Sequence, residues 1–264
     1  MNAVRDNLEL KKHTIHGIPT LSCFKGSGDQ KPLVVFSHAF TGRKEDFTDH
    51  LKTFAELGYY ALALDNRAHG ERSVRGFISQ QVFVDGKLNV YEVRKLIKET
   101  ADDMKILIDH FVKEGGIDED RMGLIGVSMG GFSALRTLVM EERIKVAAPI
   151  IASPYFDEIP KDVPIAKDPE NMQKLKDYSK KYSPGFHLDR FYPRAILFQI
   201  GGLDIHFNGE NVRQFCDTLG PYYEEDPDRL KLIVHDNVAH EFTQPMWNNV
   251  IDWFQKYLTH RPKP

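Results

Sequence analysis

Residues 122–140 constrain this chain most. An apolar run, Met122 to Val127, leads into Gly126-Val127-Ser128-Met129-Gly130, and a helix-like run, Gly131 to Met140, follows. A buried strand that turns at once into a helix leaves no room for side chains at the corner. Glycines two residues before and after Ser128 remove the Cβ atoms that would collide there. The corner residue is then expected in a strained backbone region, with its hydroxyl lifted clear of the sheet and a free N–H beside it. A Gly-x-Ser-x-Gly corner between strand and helix is the setting of a nucleophilic serine, although five residues with three fixed also arise by chance.

The remaining pattern supplies the sheet that such a corner needs. Leu33 to Phe36, Tyr60 to Leu64, Lys145 to Ile151, Arg194 to Ile200 and Leu230 to Val234 read as further buried strands. Glu45 to Leu57 reads as a helix with Phe47, Leu51, Phe54 and Ala55 on one face and Gly58 at its end. Val90 to Val112 carries Val93, Leu96, Ile97, Met104, Leu107, Ile108 and Phe111 as an apolar stripe. The last helix, Pro245 to Leu258, is expected to bury Met246, Val250, Ile251, Phe254 and Leu258. Leu8 to Phe24 reads as two short strands around Gly17-Ile18-Pro19, an antiparallel edge, and Asn66 to Asn89 as a long loop. Strands separated by helices predict an α/β fold with a mostly parallel central sheet flanked by helices. No repeat or linker divides the chain, so one domain over 1–264 is expected.

Composition narrows the function classes. With 41% hydrophobic and 28% charged residues, the 264-residue chain has enough apolar side chains for one sizeable core. A net charge of −3 implies no broad attraction to nucleic acid or to a membrane surface. Met1 to Lys12 lacks an apolar signal core and no uncharged run reaches membrane-spanning length, so a cytoplasmic location is expected. Cys23 and Cys216 are far apart and fit neither a metal nor a redox spacing. No His/Cys/Asp cluster has metal spacing, and neither a Gly-x-x-x-x-Gly-Lys-Ser/Thr loop nor a Gly-x-Gly-x-x-Gly fingerprint occurs, so no cofactor is implied. Glu224 to Asp228 reads as a solvated acidic loop.

In an open parallel sheet, ligands bind beyond the carboxyl ends of the strands. Three reactive residues follow strands in that way: Ser128, Asp204 in Gly201-Gly202-Leu203-Asp204, and His240 in Asn237-Val238-Ala239-His240-Glu241. A serine hydroxyl is a poor nucleophile until a base takes its proton, and a histidine base needs a carboxylate to hold its tautomer. Ser128, His240 and Asp204 are therefore the expected nucleophile, base and acid. His235 and Asp236 are the rivals. His206, two residues past Asp204, reads as a surface or pocket-wall residue.

The order Ser, Asp, His is that of the α/β-hydrolases, and nearly the whole chain resembles them. It is most similar to single-domain esterases related to the prolyl oligopeptidase catalytic domain and to dienelactone hydrolase. The matching segments are Ser37-His38-Ala39-Phe40-Thr41-Gly42, Asp65-Asn66-Arg67-Ala68-His69-Gly70, the Ser128 corner, Gly201 to Asp204, and Ala239-His240-Glu241-Phe242-Thr243. The resemblance implies an oxyanion hole built from the backbone N–H groups of Phe40 and Met129. His38 reads as a loop-fixing residue rather than a catalyst, and Arg67 as a structural residue that pins the loop through an ion pair or backbone carbonyls. Ala39 stands where the family has Gly, which would strain the loop if that position needs a positive φ. Residues 152–193 form an insertion with Met172, Leu175, Tyr178 and Tyr182 at helical spacing, either a small lid or a helix at the domain edge. Tyr155, Phe207 and Phe242, with Phe40 and Phe156, are candidate pocket aromatics.

The expected activity is a serine hydrolase acting on carboxylic esters of small to medium acyl groups through an acyl-enzyme. Peptidase, amidase or thioesterase chemistry with the same three residues is the alternative, as is a non-catalytic binding relative. A peptidase of the oligopeptidase type ranks lower because no propeller-like region precedes the catalytic unit. A small-molecule ester is the only partner implied, and the oligomeric state is not legible.

Overall fold

A computed structural model of the chain describes residues 8–26 and 30–258. Residues 1–7, part of the segment read above for a leader, lie outside the described residues. The strand β1 (Leu8–Ile15) returns as β2 (Ile18–Lys25) through His16 and Gly17, both at positive φ, 51° and 77°. Two left-handed turn residues match the twist of a tight hairpin. The predicted antiparallel edge is therefore present.

The alternation follows as expected. It runs β3 (Lys31–Ser37), α1 (Thr48–Glu56), β4 (Tyr60–Leu64), the short hairpin β5 (Phe83–Val84) and β6 (Lys87–Leu88), then α2 (Val90–Glu114) and β7 (Ile117–Val127). It continues through α3 (Met129–Met140), β8 (Ile144–Ile150), α4 (Pro169–Tyr182), β9 (Ala195–Gly201), α5 (Gly209–Leu219), β10 (Leu230–His235) and α6 (Gln244–Leu258). The eight-stranded sheet has the order β1-β2-β4-β3-β7-β8-β9-β10. β4, β3, β7, β8, β9 and β10 are parallel, and β2 runs antiparallel to both β1 and β4. Helices flank this sheet, and the architecture is the α/β-hydrolase fold. Among the described residues no helix is long and apolar enough to cross a membrane.

The core explains which helices pack where. The rings of Phe54 in α1 and of Trp247 and Phe254 in α6 meet at 5.4–5.5 Å, and the Tyr59 hydroxyl donates to the Phe254 carbonyl at 3.1 Å. In α2, Leu96, Ile97, Met104, Leu107, Ile108 and Phe111 are buried as the stripe predicts, while Val93 is half-buried. The last helix buries Met246, Val250, Phe254 and Leu258 as expected, and Trp247 and Trp253 in addition, but leaves Ile251 half-buried.

Three expectations change. Residues 66–89 are not a plain loop, because they hold a 3-10 turn at Gly70–Arg72, a π turn at Ile78–Val82 and the β5–β6 hairpin. The helix α5 is additional to the expected elements, although Asn208 caps it and Val212, Phe215 and Leu219 form its buried stripe. The predicted helix from Glu45 begins as a 3-10 turn, Lys44–Phe47.

The segment Asp65 to Gly70 is locked by charge. The Asp65 carboxylate is fully buried and accepts from the Lys44 N–H, the Lys44 ammonium and the Glu71 N–H at 2.8–2.9 Å. A Cβ on Gly70, which sits at φ +54°, would overlap that carboxyl group. Asp103 of α2 pairs with both Arg67 and Arg72 at 2.6 Å. Arg67 thus pins the loop through an ion pair, the structural role expected of it.

Candidate active site

The Ser128 corner has the expected strain. Ser128 lies at φ 51°, ψ −116°, and its N–H donates to the Ile150 carbonyl at 2.9 Å. A Cβ on Gly126 would overlap the Gly130 carbonyl, and one on Gly130 would overlap the carbonyl of Ser37 at the end of β3. A third glycine, Gly131, is needed as well, since a Cβ there would come within 2.6 Å of the Ala152 methyl. Bare backbone therefore lets α3 start against the ends of β3 and β8. Met129 opens α3, where the first N–H groups have no acceptor within the helix.

Two further glycines lock the acid loop against the histidine loop. Cβ atoms on Gly201 and Gly202 would strike the Ala239 and Val238 carbonyls and the Asp236 backbone. That close approach allows the Gly202 N–H to donate to the His235 carbonyl and the Leu203 N–H to the Val238 carbonyl, at 2.8 and 2.9 Å. Asp204 and His240 are thereby held side by side. Nδ1 of His240 lies 2.7 Å from Oδ2 of Asp204, and Nε2 of His240 lies 2.8 Å from the Ser128 hydroxyl. The other Asp204 oxygen accepts the His206 N–H at 2.8 Å. Asp204 is almost fully buried and His240 about a quarter exposed.

The rivals lie elsewhere. Nε2 of His235 lies 3.1 Å from the Gln199 side-chain oxygen, and His235 is not among the residues that line the cavity at Ser128. Asp236 contributes its backbone to the packing on Gly202. His206 is a wall residue: its ring centroid lies 4.5 Å from that of His240, and its Nδ1 is 2.7 Å from the Asp162 carboxylate.

The loop after β3 removes the concern over Ala39. Thr41, at φ 65°, takes the left-handed position, and Ala39 is not among the residues at positive φ. The Ala39 carbonyl accepts from the Gly42 N–H at 3.0 Å and from Nδ1 of His38 at 2.7 Å. Nε2 of His38 accepts the Asn66 N–H at 3.0 Å. Burial pushes the His38 pKa down to about 4, so the ring is neutral and bonds with one tautomer. His38 is a loop fixer, as expected, and it leaves Phe40 half-buried in the cavity wall.

A cavity of about 410 Å³ opens at Ser128. Phe40, Phe207 and Phe242 line it. Tyr155 does not. It packs instead over Gly185, with its ring 5.8 Å from Phe186 and 6.0 Å from Phe215, because β8 delivers it to the insertion. Phe156 is buried beneath the wall, 6.4 Å from the Phe132 ring.

The insertion does two separate things. Its helix, α4, packs on α2, with Tyr178 edge-on to Tyr91 at 5.5 Å, and contributes nothing to the cavity lining. Its first part supplies Glu158, Pro160 and Val163 to the lining. Leu88 stitches that part to the β5–β6 hairpin: its N–H donates to the Pro164 carbonyl at 2.7 Å, and its carbonyl accepts the Ala166 N–H at 3.0 Å. Arg94, Glu158 and Phe132 also line the cavity, and sequence reasoning does not single them out.

The chain is similar to known serine hydrolases. The family Hydrolase_4, described as serine aminopeptidase, S33, matches residues 28–186. YitV of Bacillus subtilis (strain 168), provisionally named an esterase, is 30% identical over 268 residues, 95% of this chain and 100% of YitV. Among solved structures, TT1662 from Thermus thermophilus gives a TM-score of 0.75 at 20% identity, over 97% of this chain and 100% of that one. An acylaminoacyl peptidase of Pyrococcus horikoshii gives 0.72 at 15% identity, over 99% of this chain and 43% of that one.

Proposed function

Because the chain belongs to the Hydrolase_4 family and is an esterase-type serine hydrolase, we propose that it cleaves carboxylic esters of small to medium acyl groups through an acyl-enzyme. The reading rests on one observation, the unbroken hydrogen-bonded line from the Ser128 hydroxyl through His240 to Asp204 at the mouth of an apolar cavity.

Ser128 is the nucleophile. As its Oγ attacks the ester carbon, its proton passes to Nε2 of His240. The Asp204 carboxylate holds Nδ1–H of His240 and stabilises the imidazolium that forms. The carbonyl oxygen becomes an oxyanion and accepts from the backbone N–H groups of Met129 and Phe40. Collapse of the intermediate expels the alcohol, which takes the proton from His240. Water then attacks the acyl group on Ser128, His240 removing a water proton and returning it to Ser128 as the acid leaves.

The strain at Ser128 fits this role, because it holds the oxygen in position before substrate arrives. The lining supports acyl groups from acetyl to about hexanoyl, since aromatic and aliphatic side chains fill most of it and α4 adds no deep cap. Asp204→Asn is expected to lower kcat on p-nitrophenyl butyrate by about 10⁴-fold, because the amide favours the wrong histidine tautomer. A loss below about tenfold would exclude Asp204 from the role.

A further inference from the structure

One face of α2 lines the cavity: Val90, Val93, Arg94 and Ile97 follow each other at helical spacing. Three are apolar and the fourth is a cation. Arg94 is only 6% exposed, and a buried charge is costly unless it is paired. Its partners are two main-chain carbonyls, Phe156 O from Nε and Glu158 O from Nη2, both at 2.8 Å. Its guanidinium lies over the Phe132 ring, 4.3 Å from the centroid. Among the described residues no carboxylate pairs with it, and Nη1, whose two hydrogens complete the fork, has no partner. Burial pulls its pKa down to about 10, which leaves it charged at neutral pH.

Arg94 opens on the same cavity as Ser128. Phe132 lies one turn along α3 from Ser128, and its N–H donates to the Ser128 carbonyl at 3.0 Å. Glu158 bears on the sign of the ligand. It is only 9% exposed and lines the same cavity. One of its carboxyl oxygens receives the Asn208 N–H, while the second has no partner among the described residues. An anionic ligand would meet that carboxyl group, whereas a neutral carbonyl would not suffer the repulsion.

Building on the esterase reading, we infer that Arg94 is a specificity residue that accepts acyl groups carrying a second, neutral carbonyl oxygen beyond the scissile ester. The chemical class is the oxo-, amido- or ester-substituted acyl ester, in place of the plain alkyl one. A hydrogen bond from a charged donor in this buried site is expected to favour such a ligand about tenfold.

The test measures binding apart from turnover. Dissociation constants for ethyl pentanoate, ethyl 4-oxopentanoate and monoethyl succinate are measured by calorimetry on Ser128→Ala, which leaves the esters intact. The oxo ester is expected to bind about tenfold more tightly than the pentanoate. Arg94→Met in the same background should erase the difference, and Arg94→Lys should keep part of it. Equal binding of the first two esters overturns the inference, as does tighter binding of the succinate monoester. If Arg94→Met does not fold, the ratio on Ser128→Ala alone decides. Turnover of ethyl pentanoate by the unmodified protein reads the esterase assignment separately, so the two failures are distinguishable.

Discussion

Ser128→Ala is expected to lose at least about 10⁴-fold in kcat/KM on p-nitrophenyl esters while keeping its thermal midpoint. The loss follows from the mechanism, because no other hydroxyl stands 2.8 Å from Nε2 of His240 among the hydrogen bonds of the described residues. The unchanged stability follows from the corner. Alanine meets the same left-handed strain at φ 51°, needs less space, and keeps the backbone bonds from Ser128 N–H to Ile150 O and from Phe132 N–H to Ser128 O. Steady-state kinetics with a thermal melt checks both halves. Retention of more than a few per cent of turnover would move the nucleophile elsewhere.

The second large effect is on stability. Asp65→Ala is expected to cost about 3 kcal/mol or more, read as a lower urea midpoint with an unchanged slope. Asp65 is fully buried, and Lys44 is 1% exposed. Burial alone would lower the Lys44 pKa, yet its bonds to Asp65, Glu71 and Glu45 raise it. Removing Asp65 leaves that ammonium inside the protein with its most buried partner gone, and takes the acceptor from the Lys44 and Glu71 N–H groups. Asp65→Asn should cost less, since the amide oxygen still accepts one of these bonds. A loss under about 1 kcal/mol for the alanine variant would mean that Glu71 and Glu45 hold Lys44 unaided.

Most of the sheet is legible in the sequence because its strands are short apolar runs and its helices keep a 3.6-residue stripe. Ser128, Asp204 and His240 are legible for a different reason. Each falls just after a strand, and a parallel sheet puts all such positions at one edge. What escapes depends on side-chain direction or backbone angle. Ala39 looks like a strained glycine substitute, but Thr41 carries the positive φ, and nothing in the residue types distinguishes the two. Tyr155 follows a strand as Phe207 does, yet the chain turns it toward Gly185 and Phe215. The helix α5 escapes although Asn208 and the spacing of Val212, Phe215 and Leu219 announce it. Arg94 is hidden by its type. An arginine on an amphipathic helix reads as solvent-facing, but four residues after Val90 and three before Ile97 it falls on the apolar stripe. That clash between residue type and position is the available signal.

The central claim is that this protein holds one activated serine, and mass spectrometry of the fluorophosphonate-treated protein tests it most directly, since only a serine with a working base reacts quickly. The predicted result is a single adduct per chain, mapped to the peptide that contains Ser128, and its absence from Ser128→Ala and His240→Ala. An unmodified protein, or an adduct on another residue that survives in Ser128→Ala, would contradict the account.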